Sequence, residues 1–239
     1  RIRKSPFFEE TIKSGATNFT TYNHMVMPVG YTTSKEEYKS LIEDVTLWDV
    51  AAERQVQVIG EDAFKFVQYL TPRNLSTFKD SFCRYAFLTD ENGGIINDPL
   101  ILKFNDQKFW LSIADTDALL WCKGVALSKK FNVQITEPEA CPLSLQGPKS
   151  KDLMRKISND NPSVMDLKYY QFVETKLFDI DLIVARSGWS NQFGYEIYIS
   201  PEHALELWET IFKHGKEFNL VPYGTETMHL LRAEKGFII

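Results

Sequence analysis

RQVQVIGEDAFKFVQYL, Arg54–Leu70, reads as a strand and a helix hinged on one glycine. Polar and apolar residues alternate from Gln55 to Val58 with the two-residue period of a half-buried strand, and Gly60 marks a turn. Ala63, Phe64, Val67 and Leu70 then recur at helical spacing. The same order returns in PLSLQGPKSKDLMRKI, Pro142–Ile157, with Gly147 as the hinge and Pro148 where a first helical turn accepts proline. A unit written twice implies two similar halves that pack together and leave a cleft.

Outward from these motifs the echo continues. CRYAFLTDENGGIINDPLILKF, from Cys83, is two β-rich arms around Asn92-Gly93-Gly94, a hairpin signal. KFWLSIADTDALLWCKGVALSKK, from Lys108, is a strand and a helix that Asp115 or Thr116 is placed to cap. In the later half, LFDIDLIVARSGWSNQFGYEIYIS, Leu177–Ser200, reads as a second hairpin. Ser200 then caps PEHALELWETIFKHG, whose Ala204, Leu205, Trp208, Ile211 and Phe212 form the apolar face and whose Gly215 is the stop. Strands arriving in hairpins argue against a doubly wound parallel sheet. The expected fold is α+β, with two similar β-hairpin-and-helix subdomains over residues 1–137 and 138–239.

Bulk properties bound the function. In 239 residues, 44% hydrophobic, 27 basic side chains meet 32 acidic ones without a long block of either sign. That balance argues against a nucleic-acid backbone or an anionic membrane as partner and points to small molecules. Cys83, Cys122 and Cys141 are too few and too widely spaced for a disulfide framework or a thiolate zinc site. His24, His203, His214 and His229 form no metal-binding spacing, so no metal is expected. No apolar run suits a membrane helix or a secretory signal, and a cytoplasmic location is the expectation. The chain starts without methionine and stops within LLRAEKGFII, which reads as part of a longer protein.

In GYEIYIS, Tyr195, Ile197 and Ile199 fall on one face of a strand, and Gly194, Glu196 and Tyr198 on the other. The second face, with Trp189 on the opposite arm, suits a flat polar heterocycle, because a carboxylate accepts two parallel N–H donors. Taken alone, the segment favours a plainer reading in which Glu196 lies on the solvated side of an amphipathic strand. Asp98 beyond the first hairpin turn likewise reads most simply as a turn carboxylate bonded to nearby backbone.

Six ordered blocks change that balance. MPVGY, LWDVAAERQVQVIGEDAFKF, NGGIINDPLI, LSLQGPKS, RSGWSNQFGYEI and LLRAEKG resemble, in order, those of the folate-dependent aminomethyltransferase family, the T-protein of glycine cleavage and its relatives. The resemblance implies tetrahydrofolate in a central cavity, and a family C-terminal β-rich domain that this chain lacks. It assigns Glu196 to the pterin ring, with Gly194 letting the ring approach the backbone, Asp98 to the reacting folate nitrogens as catalytic residue, and Arg232 to an electrostatic contact. Tyr85 is expected beside the folate.

Where the glycine-cleavage members usually carry DVSHMG, an Asp-Asp pair and a tyrosine, this chain has DVAAER, Asn97-Asp98 and Trp189. Those changes resemble the branch acting on dimethylsulfoniopropionate, which implies methyl transfer from a sulfonium to nitrogen 5 of tetrahydrofolate, the methyl acceptor. Trp189 and Tyr198 are then the candidates for cation–π contact with the sulfonium, and Ser112 for lining the same cavity. An aminomethyltransferase and a non-catalytic folate-binding protein are the alternatives. Oligomeric state stays open, a homo-oligomer included.

Overall fold

Gly60 and Gly147 have φ of 149° and 128° in the computed structural model, which describes residues 1–237. An L side chain rarely adopts that backbone. A Cβ at either position would also overlap main chain, the Asn132 carbonyl at Gly60 and the Asp44 carbonyl at Gly147. Each glycine therefore ends a strand where another segment crosses closely. Gln55–Ile59 leads through Gly60 into the helix Ala63–Leu70, and Cys141–Gln146 leads through Gly147 into Ser150–Ile157. Pro148 lies just ahead of that second helix rather than inside it.

The chain forms two compact units. One holds residues 53–140 and 170–172, and the other holds 1–52, 141–169 and the described residues from Val173 onward. The junction at Ala140 and Cys141 is close to the 137/138 division expected from sequence, but residues 1–52 group with the later unit. The cause is a strand, Thr46–Asp49, that pairs antiparallel with Cys141–Gln146, setting Leu47 opposite Leu145. Ile238 and Ile239, which close the run LLRAEKGFII, lie outside the described residues.

In the 53–140 unit, five antiparallel strands run in the order Gln134–Thr136, Gln55–Ile59, Lys108–Ser112, Leu100–Asn105, Phe82–Tyr85. Alternation sends Val56, Val58, Phe109 and Leu111 into a core shared with Phe66, Val67 and Leu70 of the first helix. Phe66 takes the buried place that the spacing assigns to Phe64, which is only partly covered. A smaller hairpin, Leu88–Thr89 with Ile95–Asn97, closes over Asn92-Gly93-Gly94, where Asp90 Oδ1 accepts the Asn92 and Gly94 amides at 2.9 and 2.7 Å. The following helix, Ala118–Lys129, is preceded by Asp117. Neither Asp115 nor Thr116 caps it: Asp117 is the N-cap residue and makes no side-chain cap bond, while Thr116 Oγ1 accepts Asn97 Nδ2 at 2.6 Å and donates to the Ile96 carbonyl at 2.7 Å.

The other unit's main sheet has six strands in the order Phe172–Leu177, Ile180–Ala185, Gly194–Ile199, Cys141–Gln146, Thr46–Asp49, Val221–Pro222. Tyr195, Ile197 and Ile199 face its core with Leu143 and Leu145, as the alternation requires. The helix Ala204–Gly215 buries Ala204, Leu207, Trp208 and Ile211. Leu205, expected on that face, is 48% exposed, since one residue is a turn of about 100° away from Ala204. Ser200 precedes a short 3₁₀ turn, Pro201–His203, without a side-chain cap bond; the α-helix ends at Gly215, and a 3₁₀ turn, Lys216–Phe218, follows it to Asn219 (φ 59°).

A small sheet of Arg3–Lys4, Met25–Gly30 and Asn18–Tyr22 precedes the helix Ser34–Glu43, which Thr33 and Glu36 start with a capping box. Buried Glu37 on that helix accepts the amides of Tyr31, Thr32 and Gly224 at 2.6, 2.8 and 2.9 Å and the Thr227 hydroxyl at 2.9 Å. One carboxylate thereby fixes the start of the helix Thr225–Lys235, which carries Arg232.

Candidate functional site

Glu196 sits mid-strand in Gly194–Ile199, and protein covers it on the side away from the core as well, leaving it 7% exposed. The solvated-face reading of this strand is therefore wrong. Ser187 donates its hydroxyl to Oε2 of Glu196 at 2.5 Å, and the Tyr198 hydroxyl donates to the same oxygen at 3.3 Å. No lysine or arginine pairs with the carboxylate among the described residues. Oε1 accepts no hydrogen bond there either, so the two-oxygen grip expected from sequence narrows to one oxygen with two open acceptor sites. Burial raises the pKa of Glu196, against the opposing pull of the Ser187 and Tyr198 hydrogen bonds.

The glycines of RSGWSNQFGYEI have a different occupant from the one expected. A Cβ on Gly188 or on Gly194 would collide with the carboxamide of Gln146, and Gly188 has a φ of 143° besides. Gln146 Nε2 donates to the carbonyls of Ser187 and Tyr195 at 3.1 and 3.3 Å, while its Oε1 accepts the Ser190 hydroxyl at 2.6 Å. Ser190 Oγ in turn accepts the Gln192 amide at 3.2 Å. Gly194 thus makes room for a protein amide that ties the turn to the strand. Sequence reading passed over Gln146 and Ser187; the available signal was a glutamine directly before the hinge glycine in LQGPKS.

Trp189, at the turn between the strands, is partly buried and packs on Phe237, with ring centroids 4.9 Å apart. Tyr198 is buried beside Glu196. Arg232 has its Nε buried without a hydrogen-bond partner among the described residues, a donor free for an anionic group. Asp49 was not singled out by sequence. It is wholly buried, accepts the Ser5 hydroxyl and, at 3.1 Å, the Ala51 amide, and burial pushes its pKa up to about 6.

In the 53–140 unit, Tyr85 donates its hydroxyl to Oδ2 of Asp98 at 2.7 Å. Burial first, and Asp98 second, hold the Tyr85 phenol protonated well above its ordinary range. Asp98 is therefore bonded to a side chain rather than to turn backbone. Its neighbour Asn97 is fully used as structure: Nδ2 donates to the Ala114 carbonyl at 3.0 Å and to Thr116 Oγ1 at 2.6 Å, and Oδ1 accepts the Ala114 amide at 3.0 Å. An aspartate there could not make the two donated bonds. Ser112 is buried and accepts Gln55 Nε2 at 2.9 Å. Among the described residues no cluster of His, Cys, Asp or Glu could hold a metal ion, and no helix is long and apolar enough to cross a membrane.

Two sheets with repeated glycine hinges, one bearing a buried carboxyl group with an open oxygen, define an α+β protein of duplicated design. The chain belongs to the family described as GCVT N-terminal domain, whose model matches residues 7–239. Similar proteins include dimethylsulfoniopropionate demethylase DmdA of Ruegeria pomeroyi, 36% identical over 92% of this chain and 60% of that protein. An aminomethyltransferase of Thermoanaerobacter is 29% identical over 98% of this chain and 64% of its own length. The glycine cleavage system aminomethyltransferase T of Bartonella henselae shares the fold, with a TM-score of 0.86 and 23% identity over the whole chain and 64% of that structure. This chain thus spans about 60 to 64% of the length of these relatives.

Proposed function

We propose that the chain is the folate-binding portion of a tetrahydrofolate-dependent methyltransferase whose donor is dimethylsulfoniopropionate. The observation that carries the reading is the buried Glu196, whose Oε1 accepts no hydrogen bond among the described residues. An oxygen left open on a buried carboxylate can accept a ligand N–H group, which fits the aminopyrimidine edge of a pterin. Arg232 offers its buried Nε to an anionic group of the ligand. The demethylase relative supports the choice of donor, as do Ala52, Asn97 and Trp189 at the places where the glycine-cleavage pattern departs.

In the reaction, the methyl–sulfur bond breaks as the methyl–nitrogen bond forms, the sulfur leaves as the neutral thioether methylmercaptopropionate, and nitrogen 5 gives up a proton. Because a sulfonium carries its own leaving group, the protein has chiefly to align the reacting atoms and exclude water. Trp189 and Tyr198 present aromatic rings suited to a sulfonium cation, each contact being worth about 0.5–2 kcal/mol. Asp98, fixed by the Tyr85 hydroxyl, is the candidate to receive the proton, and Ser112 a further lining residue. The relatives named aminomethyltransferase favour a second reading, transfer from an aminomethyl donor to give methylenetetrahydrofolate.

The full-length protein, assayed with tetrahydrofolate and each donor, separates the readings. Loss of dimethylsulfoniopropionate with equimolar 5-methyltetrahydrofolate is the expected result. Methylenetetrahydrofolate from the aminomethyl donor alone would replace the first reading by the second, and folate binding without turnover of either would leave a non-catalytic binding protein.

A further inference from the structure

Ser187 has no role in the reading above, yet its hydroxyl makes the shorter of the two hydrogen bonds to Glu196. A serine has one hydroxyl proton, and this one is committed to Oε2. The Ser187 carbonyl is held by Gln146 Nε2, and the same nitrogen reaches the carbonyl of Tyr195, the residue before Glu196 in the strand. One carboxamide, its space supplied by Gly188 and Gly194, therefore locks the turn bearing Ser187 to the strand bearing Glu196. Both Ser187 and Gln146 are 1% exposed, so water has no access to substitute for either bond.

We infer that Ser187 is a positioning residue, held by Gln146, that pins Oε2 of Glu196 and so reserves Oε1 as the single acceptor offered to the ligand. This rests on the reading of Glu196 as the folate carboxylate. The hydroxyl also favours the charged carboxylate against burial, so its removal affects both the direction of the side chain and its protonation. A purely structural serine would change neither.

The test is tetrahydrofolate titration of the full-length protein across pH, with thermal unfolding as a check on folding. Ser187→Ala is expected to weaken binding about tenfold at neutral pH. It should also move the acid limb of the binding curve upward by about one pH unit, because a carboxylate without its donor protonates more easily. Ser187→Thr keeps the hydroxyl and is expected to restore both. Ser187→Cys keeps the size with a weak donor and is expected to behave as the alanine variant, which covers the case in which alanine does not fold. Wild-type affinity and an unmoved acid limb in the alanine or cysteine variant would overturn the proposal if Glu196→Gln still loses binding. If Glu196→Gln also binds normally, the folate reading of Glu196 falls, and this proposal with it.

Discussion

The two units build their sheets from the same plan and differ on one face. Setting Gly60 against Gly147 matches the order Gln134–Thr136, Gln55–Ile59, Lys108–Ser112, Leu100–Asn105, Phe82–Tyr85 with Thr46–Asp49, Cys141–Gln146, Gly194–Ile199, Ile180–Ala185, Phe172–Leu177. Cross-strand register then equates Val58 and Phe109 with Leu145 and Tyr195, all buried in a core. On the opposite face, Gln57 paired with Trp110 corresponds to Ser144 paired with Glu196, and Ser112 to Tyr198. Trp110 Nε1 satisfies Gln57 Oε1 at 3.0 Å, a neutral bond complete in itself. Glu196 is a buried carboxyl group left with an open oxygen. Chemistry has diverged on the face that the duplicated core does not need.

The largest expected effect tests whether the hinges are equivalent. Gly60→Ala and Gly147→Ala should each cost about 3 kcal/mol, because both demand positive φ and both press a carbonyl. Denaturant unfolding that found only one of them destabilised would break the equivalence. Next, Glu196→Gln should weaken tetrahydrofolate binding by about 30–100-fold, since Ser187 would hold the amide oxygen and turn an N–H₂ donor toward the ligand donors. Trp110→Phe at the matching position should leave affinity within about twofold and cost about 1 kcal/mol of stability for the lost Gln57 bond. Equal losses of binding at the two positions would erase the contrast.

A smaller effect concerns the other buried carboxyl of the later unit. Asp49 has a folded pKa raised to about 6, above its ordinary 3.8. Its stabilising contribution is therefore complete below about pH 4 and is lost as pH rises through about 6. Asp49→Asn does not titrate, so wild type should lose up to about 2 kcal/mol relative to the variant between pH 4 and 7.5. Melting temperatures of the pair that stay parallel across this range would contradict the assignment.

Local patterns carried what was legible in advance. The strand, glycine and helix sequence, the Asn92-Gly93-Gly94 turn and the core face of Tyr195, Ile197 and Ile199 depend on residues close in the chain. Period-two alternation says which residues share a face and nothing about what lies over it. That is why Glu196 reads as solvated by pattern alone and is buried in the fold. Gln146 escaped because its carboxamide fills space left by glycines 42 and 48 positions away, Gly188 and Gly194. The domain division differed for a similar reason: the pairing of Leu47 with Leu145 is long-range, and neither segment announces it.

That long-range strand has a consequence for synthesis. A ribosome releases Thr46–Asp49 well before its partner Cys141–Gln146 exists, while every strand of the 53–140 sheet has emerged by Thr136. The middle of the polypeptide can close into its own sheet while the first 52 residues wait with an unpaired edge, the kind of surface that attracts chaperones and aggregates alike. Nascent-chain order and assembly order are thus inverted at the amino terminus, and the slowest folding step should be the late insertion of that strand.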